Sequence, residues 1–347
     1  MSQGEHIHQI TERYLKADSA ALHKIFECAL TDEEARFLLD LPAPKTDLAA
    51  KWGLSEQAID EKLLDLARRG LVVTSRRGPR LPGDLTTLHD NMLASARDQI
   101  PSGMDKVWRE LYDDEGWAIE IGTALSSLPE RVLRTIPVQN SVPPGTTLLP
   151  HEDMLEIIRA HKDLISIRHC CCRTAAKKCD HPTQVCMQFG RRAEYDLYRG
   201  SGRKVSADEA IAIALQAGDS GLVPTVTNVS VIEGLEFICF CCGCCCLIIN
   251  PGLRIEALDK ILNPSRFVVT IDAEMCNACG DCVQRCCVNA IEVRQDPAEA
   301  VIYRDRCLGC GACVSACPFE GGLTMELMRP PEFIPESIFG PSVLVHM

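Results

Sequence analysis

Apolar positions recur at helical spacing from the start of the chain, with Ile10, Tyr14, Leu15, Leu22, Ile25 and Phe26 marking a helical segment within residues 1–30. The pattern sharpens at Thr31. Thr31-Asp-Glu-Glu34 is a capping box, so a helix is expected to open there and to end at Pro42. A second short helix is expected over Thr46–Trp52, stopped by Gly53. A third runs from Ser55 to Arg69, with Ile59, Leu63, Leu64 and Leu66 inward and Gly70 as its C-cap. Leu71–Ser75 then alternates as a strand would, turns through Arg76-Arg77-Gly78-Pro79 and leaves at Leu81. Helical patterns follow over Leu85–Gln99 and Met104–Tyr112. Val138–Pro150, which contains Pro143-Pro144-Gly145, has the composition of a linker. Beyond it the periodicity predicts a helix over Glu152–Lys162, a strand over Leu164–Ile167, a Ser206-capped helix to Ala217, β structure over Leu222–Val231 and a strand over Leu235–Phe240.

Charge and composition narrow the classes. Of 347 residues, 48 are acidic and 36 basic, for a net charge of −12, which argues against general affinity for nucleic acid. The 21 cysteines are about three times the ordinary share for such a length. The first residues carry neither a basic nor an apolar signal region, so disulfides are not expected and a reducing cytoplasm is the consistent setting. The longest apolar run, Phe237–Ile249, is too short to span a bilayer.

The cysteines are patterned. Cys276-x2-Cys279-x2-Cys282-x3-Cys286 is repeated as Cys307-x2-Cys310-x2-Cys313-x3-Cys317, followed by Pro318. Three cysteines two residues apart wrap a tight loop around one corner of a cluster, and Gly280, Gly309 and Gly311 supply the backbone angles it needs. Zinc ribbons also use C-x2-C pairs, but a triplet used twice suits a cubane better. The flanks repeat as well: Val268–Asp272 answers Ala300–Arg304, and Ala290–Val293 answers Gly322–Met325. This segment, Arg266–Met328, resembles a bacterial-type two-cluster ferredoxin domain. The resemblance implies one [4Fe-4S] cluster on Cys276, Cys279, Cys282 and Cys317, and a second on Cys307, Cys310, Cys313 and Cys286. One position departs from it, because Cys287 stands where the first half should have proline.

Eleven further cysteines fall in two groups: 170, 171, 172, 179 and 186, then 239, 241, 242, 244, 245 and 246. With the eight above, Cys28 and Cys287, they complete the total. Each group follows an expected strand end, as befits a site carried by a rigid scaffold. Such dense thiols favour a third metal centre, first of all a third cubane and alternatively zinc, drawing on Cys170, Cys172, Cys179, Cys186, Cys242, Cys244 and Cys245. His169 and His181 flank these thiols as ligands, as hydrogen-bond donors or as polar loop residues. A continuous helix through Cys172, Cys179 and Cys186 is broken by His181-Pro182, so a loop is expected there. Cys241-Cys242-Gly243 is similar to the CCG motif of heterodisulfide-reductase-type subunits. The downstream C-x2-C which that motif requires would be Cys276/Cys279, already used by the ferredoxin-like loop. Gly200-Ser201-Gly202-Arg203-Lys204 lacks phosphate-loop spacing and reads as a solvated turn.

Residues 31–81 resemble a winged-helix domain. Its third helix would present Glu56, Asp60, Glu61 and Asp65 to DNA, an arrangement that repels phosphate, with Arg76, Arg77 and Arg80 as the favourable wing charges. Protein contact is the preferred reading. The expected architecture is therefore α+β and multidomain: a helix (1–30), a winged-helix-like domain (31–81), a helical connector with a Pro-rich linker (82–150), an α/β cysteine-rich middle (151–265), a ferredoxin-like dicluster domain (266–328) and a tail (329–347). The layout resembles multidomain ferredoxin-type proteins of anaerobic bacteria. The expected function is one-electron transfer to or from a partner oxidoreductase. A redox-sensing regulator and an oxidoreductase with a substrate-binding cluster are the alternatives.

Overall fold

The capping box at Thr31 forms as its side chains require. The Glu34 N–H donates to Thr31 Oγ1 at 3.2 Å, and the Glu34 carboxylate accepts from the Thr31 N–H at 2.8 Å. The computed structural model describes residues 4–14, 20–73, 78–83, 85–94, 103–131, 133–296 and 298–337. Among the described residues, five helices build the N-terminal part: α1 (Glu5–Tyr14), α2 (Ala20–Ala29), α3 (Asp32–Leu39), α4 (Lys45–Trp52) and α5 (Glu56–Arg68). They close over Ile10, Ile25, Phe26, Phe37, Leu38, Ile59 and Leu66, all solvent-free. After α5, Val73 and Arg80 form an antiparallel bridge. Arg76 and Arg77 lie outside the described residues, so this bridge is what is described of the expected strand and turn.

Gly70, at φ +81°, joins this unit to α6 (Leu85–Leu93). A Cβ there would lie 2.4 Å from backbone atoms of Asn91 and Met92, so the end of α5 rests directly on the chain of α6. Residues 95–99 of the longer helix expected there lie outside the described set. Helices α7 (Met104–Asp113) and α8 (Glu115–Ser126) come next, with Trp108 and Trp117 buried.

The middle of the chain is a seven-stranded sheet covered by helices. In chain order its elements are β1 (Leu133–Thr135), α9 (Met154–Ala160), β2 (Ile165–Arg168), α10 (Cys171–Ala176), β3 (Cys186–Phe189), α11 (Gly190–Arg199), β4 (Gly202–Val205), α12 (Ala207–Asp219), β5 (Val223–Thr227), β6 (Phe237–Cys241), α13 (Ile249–Arg254), α14 (Leu258–Ile261) and β7 (Leu262–Asn263). The strand order is β4-β2-β3-β6-β5-β1-β7, antiparallel except for the β1–β7 pair. Two expectations change. Gly202–Lys204 is not a solvated turn: Gly200 caps α11 at φ +75°, and β4 then pairs with β2 as the edge strand, its exposed Arg203 and Lys204 keeping that edge in water. The loop expected through Cys172, Cys179 and Cys186 is present but shorter, spanning 177–185 after helix α10 and before Cys186 begins β3.

The C-terminal part carries β8 (Phe267–Ile271), α15 (Asp281–Arg285), β9 (Ile291–Gln295), β10 (Ala298–Ile302) and β11 (Leu323–Leu327). The strand before the first cysteine loop pairs with the strand after the second, β8 with β11. The strand after the first loop pairs with the strand before the second, β9 with β10. The internal duplication is thus closed by crossed pairing. This part shares a core with the middle, where Val223, Cys246 and Ile249 pack with Val268, Val288 and Cys313. The Pro-rich segment takes part too: the Val138 N–H donates to the Cys310 carbonyl at 2.8 Å, and Ser141 is buried. Among the described residues, no helix is long and apolar enough to cross a membrane.

Candidate metal centres

The two cysteine loops share an unusual backbone. In Cys276–Cys282, positions 278 and 280 have φ of 58° and 87°; in Cys307–Cys313, positions 309 and 311 have φ of 63° and 74°. Left-handed residues fall at matching places in both repeats, turning the chain back so that its cysteines converge. Ala278 is the member of this set that sequence reasoning misses, because alanine carries no sequence signal for a positive φ.

A cavity lies inside the first loop. It is lined by Cys276, Cys279 and Cys282 from that loop and by Cys317 from the second repeat, with Phe319, Gly322 and Leu323 completing the wall. Four thiols from two repeats on one hollow are the donor set a cubane needs. The second set is more deeply placed. Cys307 and Cys313 are buried, and burial pushes the Cys310 thiol up to about 12 and the Cys286 thiol upward. The Cys286 sulfur accepts from the Ala290 N–H at 3.2 Å, and the Cys307 sulfur from the Gly309 N–H at 3.4 Å. Such amide donors stabilise negative sulfur. The loop is held from outside by the Ser265 hydroxyl, which donates to the Gly309 carbonyl at 2.6 Å. A Cβ on Gly311 would meet the Ser141 hydroxyl at 1.9 Å, whereas one on the matching Gly280 meets nothing within 4 Å. Equivalent loops therefore face opposite settings, the first open and the second enclosed.

A family model described as a 4Fe-4S dicluster domain matches residues 268–318. This stretch is a ferredoxin-type iron–sulfur domain. No curated protein and no solved structure matches the chain.

Beside the ferredoxin-type domain, the topology of the sheet gathers cysteines of the middle domain. Strands β2, β3 and β6 are antiparallel neighbours, so the end of β2, the start of β3 and the end of β6 share one edge. Arg168 pairs across to Cys186, and the Cys186 and Cys239 sulfurs lie 3.9 Å apart. Hydrogen bonding from Cys239 and the Arg168 charge lower the Cys186 thiol to about 6.

From this edge the chain after β6 makes the tight turn Cys242–Cys246 beneath the loop holding Cys179. Sulfurs of Cys179, Cys242, Cys244 and Cys245 all lie within 4.8 Å of one another. Cys179 is 3.9 Å from Cys242 and 3.7 Å from Cys245, and Cys244 is 3.7 Å from Cys245. These separations are far beyond a disulfide bond. Of the seven middle-domain cysteines singled out from sequence, this set unites Cys179, Cys242, Cys244 and Cys245, while Cys170, Cys172 and Cys186 lie outside it. The Cys172 sulfur instead accepts from the Leu247 N–H at 3.4 Å.

Arg173 is the partner that sequence reasoning missed. It is buried, with Nη1 2.8 Å from the Phe240 carbonyl and 3.9 Å from the Cys242 sulfur. Hydrogen bonding from Cys245, together with this guanidinium, holds the Cys242 thiol down at about 4. Burial and the Cys242 charge then push Cys244 up to about 12. His169 is not part of the set; its Nδ1 lies 3.0 Å from the Thr183 hydroxyl.

A second group of metal-capable side chains, His89, Asp90, Cys171 and Cys172, is tied together by hydrogen bonds. The Cys171 thiol donates to Asp90 at 2.9 Å, His89 Nδ1 is 3.0 Å from the same carboxylate, and His89 Nε2 is 2.8 Å from the Tyr112 hydroxyl. These bonds join α6 and α7 to α10.

Cys287, the residue in the proline position, lies where the two cysteine-rich parts touch. A Cβ on Gly243 would come within 2.0 Å of the Cys287 carbonyl oxygen. Burial raises the Cys287 thiol, and charge on Cys310, Cys286, Cys242 and Cys246 raises it further.

Proposed function

We propose that this protein is a one-electron relay whose ferredoxin-type domain holds two [4Fe-4S] clusters. Cys276, Cys279, Cys282 and Cys317 would hold the first, and Cys307, Cys310, Cys313 and Cys286 the second. The middle domain would carry a further metal centre beside the second. The observation that carries the reading is the cavity lined by three thiols of one repeat and one of the other. When bound, such clusters supply reversible one-electron chemistry.

The chain's own residues set the direction of access. The first loop is the open one: Cys279 is exposed, and Met275, Pro318 and Phe319 form an exposed apolar rim among Glu274, Asp281 and Glu320. A partner oxidoreductase with a basic, apolar-centred surface suits that rim, and its association would weaken with salt. The enclosed second loop is insulated by Val138, Ser141 and Ser265 and faces the middle-domain thiols. The N-terminal helices read best as a winged-helix-like protein-contact module. The acids of α5 are exposed, and Lys45 and Lys62 are engaged by Asp60 and Glu33, an arrangement that disfavours phosphate on that helix.

The test is anaerobic analysis of the full chain for iron and acid-labile sulfide, followed by a potentiometric titration read by paramagnetic resonance. About eight iron and eight sulfide in the ferredoxin-type domain are expected. Cys279→Ala should halve that content while the second cluster's signal persists. Fewer than four of each in the wild-type protein would sink the reading.

A further inference from the structure

We propose that Cys179, Cys242, Cys244 and Cys245 bind one tetrahedrally coordinated metal ion, zinc or iron, rather than a third cubane. The inference sharpens the reading of a further centre in the middle domain.

The distances decide between the two. A tetrahedron with zinc–sulfur arms of about 2.3 Å has sulfur–sulfur edges of about 3.8 Å. Three of the six edges here are 3.7, 3.7 and 3.9 Å, and no pair in the set exceeds 4.8 Å. A cubane interposes four irons and four sulfides between its cysteines and so spreads them wider. The ferredoxin-type domain gives the internal comparison: among the described residues, its eight cysteines form no set of three or more within the same 4.8 Å limit. One chain thus holds two kinds of thiol site, a wide one around a hollow and a tight one with room for a single ion.

The rest of the site suits such an ion. Three donors come from one short turn, and Gly243 in that turn is fixed by Asn250, whose side-chain amide donates to the Gly243 carbonyl at 3.0 Å. The fourth donor comes from a separate loop, so the ion would tie residues 177–185 to the end of β6. Four thiolates around a divalent ion carry a net charge of −2, and the Arg173 guanidinium at 3.9 Å from the Cys242 sulfur offsets part of it. The donor set is all sulfur, which selects zinc or iron over magnesium or calcium.

The test uses the anaerobically purified full chain. Zinc, iron and sulfide are counted in one sample, and X-ray absorption is read at the edge of the metal that sulfide does not match. One unmatched zinc or iron per chain, with four sulfur neighbours at about 2.3 Å, is the expected result, and the element found distinguishes the two ions. Cys179→Ser and Cys245→Ser should each lower occupancy of that ion at least tenfold, with the ferredoxin-type iron and sulfide unchanged; Cys28→Ser should change nothing. If a variant fails to fold, the wild-type absorption spectrum still decides. Iron and sulfide each rising by about four above the dicluster content would overturn the proposal in favour of a cubane. No unmatched ion, or one with nitrogen or oxygen ligands, would overturn it too. Failure of the relay reading shows separately, as loss of the sulfide-matched iron.

Discussion

Arg266 and Glu152 face each other in a two-pronged ion pair, 2.8 Å from Nε to Oε1 and 2.9 Å from Nη2 to Oε2, with both side chains at most 4 % exposed. The pair joins the residue just before β8 to the turn that opens α9, across 114 positions of sequence. Each charge is out of water, so each depends on the other. Removing one leaves an uncompensated buried ion, at a cost of about 3–5 kcal/mol. Glu152→Ala should lower the free energy of unfolding by that amount, read from denaturant midpoints under anaerobic conditions. The double variant Glu152→Met/Arg266→Met should recover most of the loss. Equal destabilisation of the single and double variants would refute this account.

Gly243 has no room for a side chain. Its Cβ would overlap the Cys287 carbonyl, a backbone atom that cannot swing aside. Gly243→Ala must push the cysteine turn away from the second ferredoxin-type loop, an overpacking cost of roughly 1–3 kcal/mol or more. The thermal midpoint should fall, and the signature of the second cluster should change more than that of the first. A variant with unchanged midpoint and spectra would show that the two parts do not press together there.

What could be read from the sequence, and what could not, divides along physical lines. The capping box at Thr31, the αL cap at Gly53 and the duplicated cysteine loops rest on local chemistry, and local chemistry is written in adjacent residues. The strand registers that bring Cys186 beside Cys239, and the loop that brings Cys179 onto Cys242 and Cys245, depend on contacts more than fifty residues apart. Spacing therefore could not say which of the eleven middle-domain thiols meet. It also could not show that Pro-rich residues 138–150 bind the Cys310 loop, because linker composition says nothing of what a segment packs against. Arg173 shows the same limit: one arginine among 36 basic residues has no mark until the fold sets it against Cys242.

His151 gives the stability a pH dependence. Burial, aided by the nearby Arg134 charge, pushes its folded value down to about 4. Above the unfolded value of about 6.5 both states are neutral and this residue adds no slope. As pH falls from there toward 4, the unfolded chain takes a proton that the fold refuses, so stability drops. The denaturant midpoint should therefore fall between pH 7.5 and 5, and His151→Gln should show a smaller fall over the same interval. Identical slopes for the two proteins would remove His151 as the cause.

The two ferredoxin-type loops should lose iron at different rates. Cys279 is exposed and Gly280 borders open space, so chelator or oxidant can reach the first set of thiols directly. The second set lies behind Ser265, Ser141 and the Phe267 carbonyl, and a side chain on Gly311 would strike the Ser141 hydroxyl at 1.9 Å. Reagents reach it only when that packing opens, and local opening of a well-packed region is rare on the time scale of surface attack. Bleaching of the visible cluster absorbance by a chelator under mild oxidation should therefore be biphasic, with about half the amplitude in each phase for two cubanes. Ser141→Gly/Ser265→Ala should speed the slow phase without altering the fast one. A single phase in the wild-type protein would mean that the exposure difference does not govern cluster loss, and the assignment of the first loop as the accessible end of the relay would fall with it.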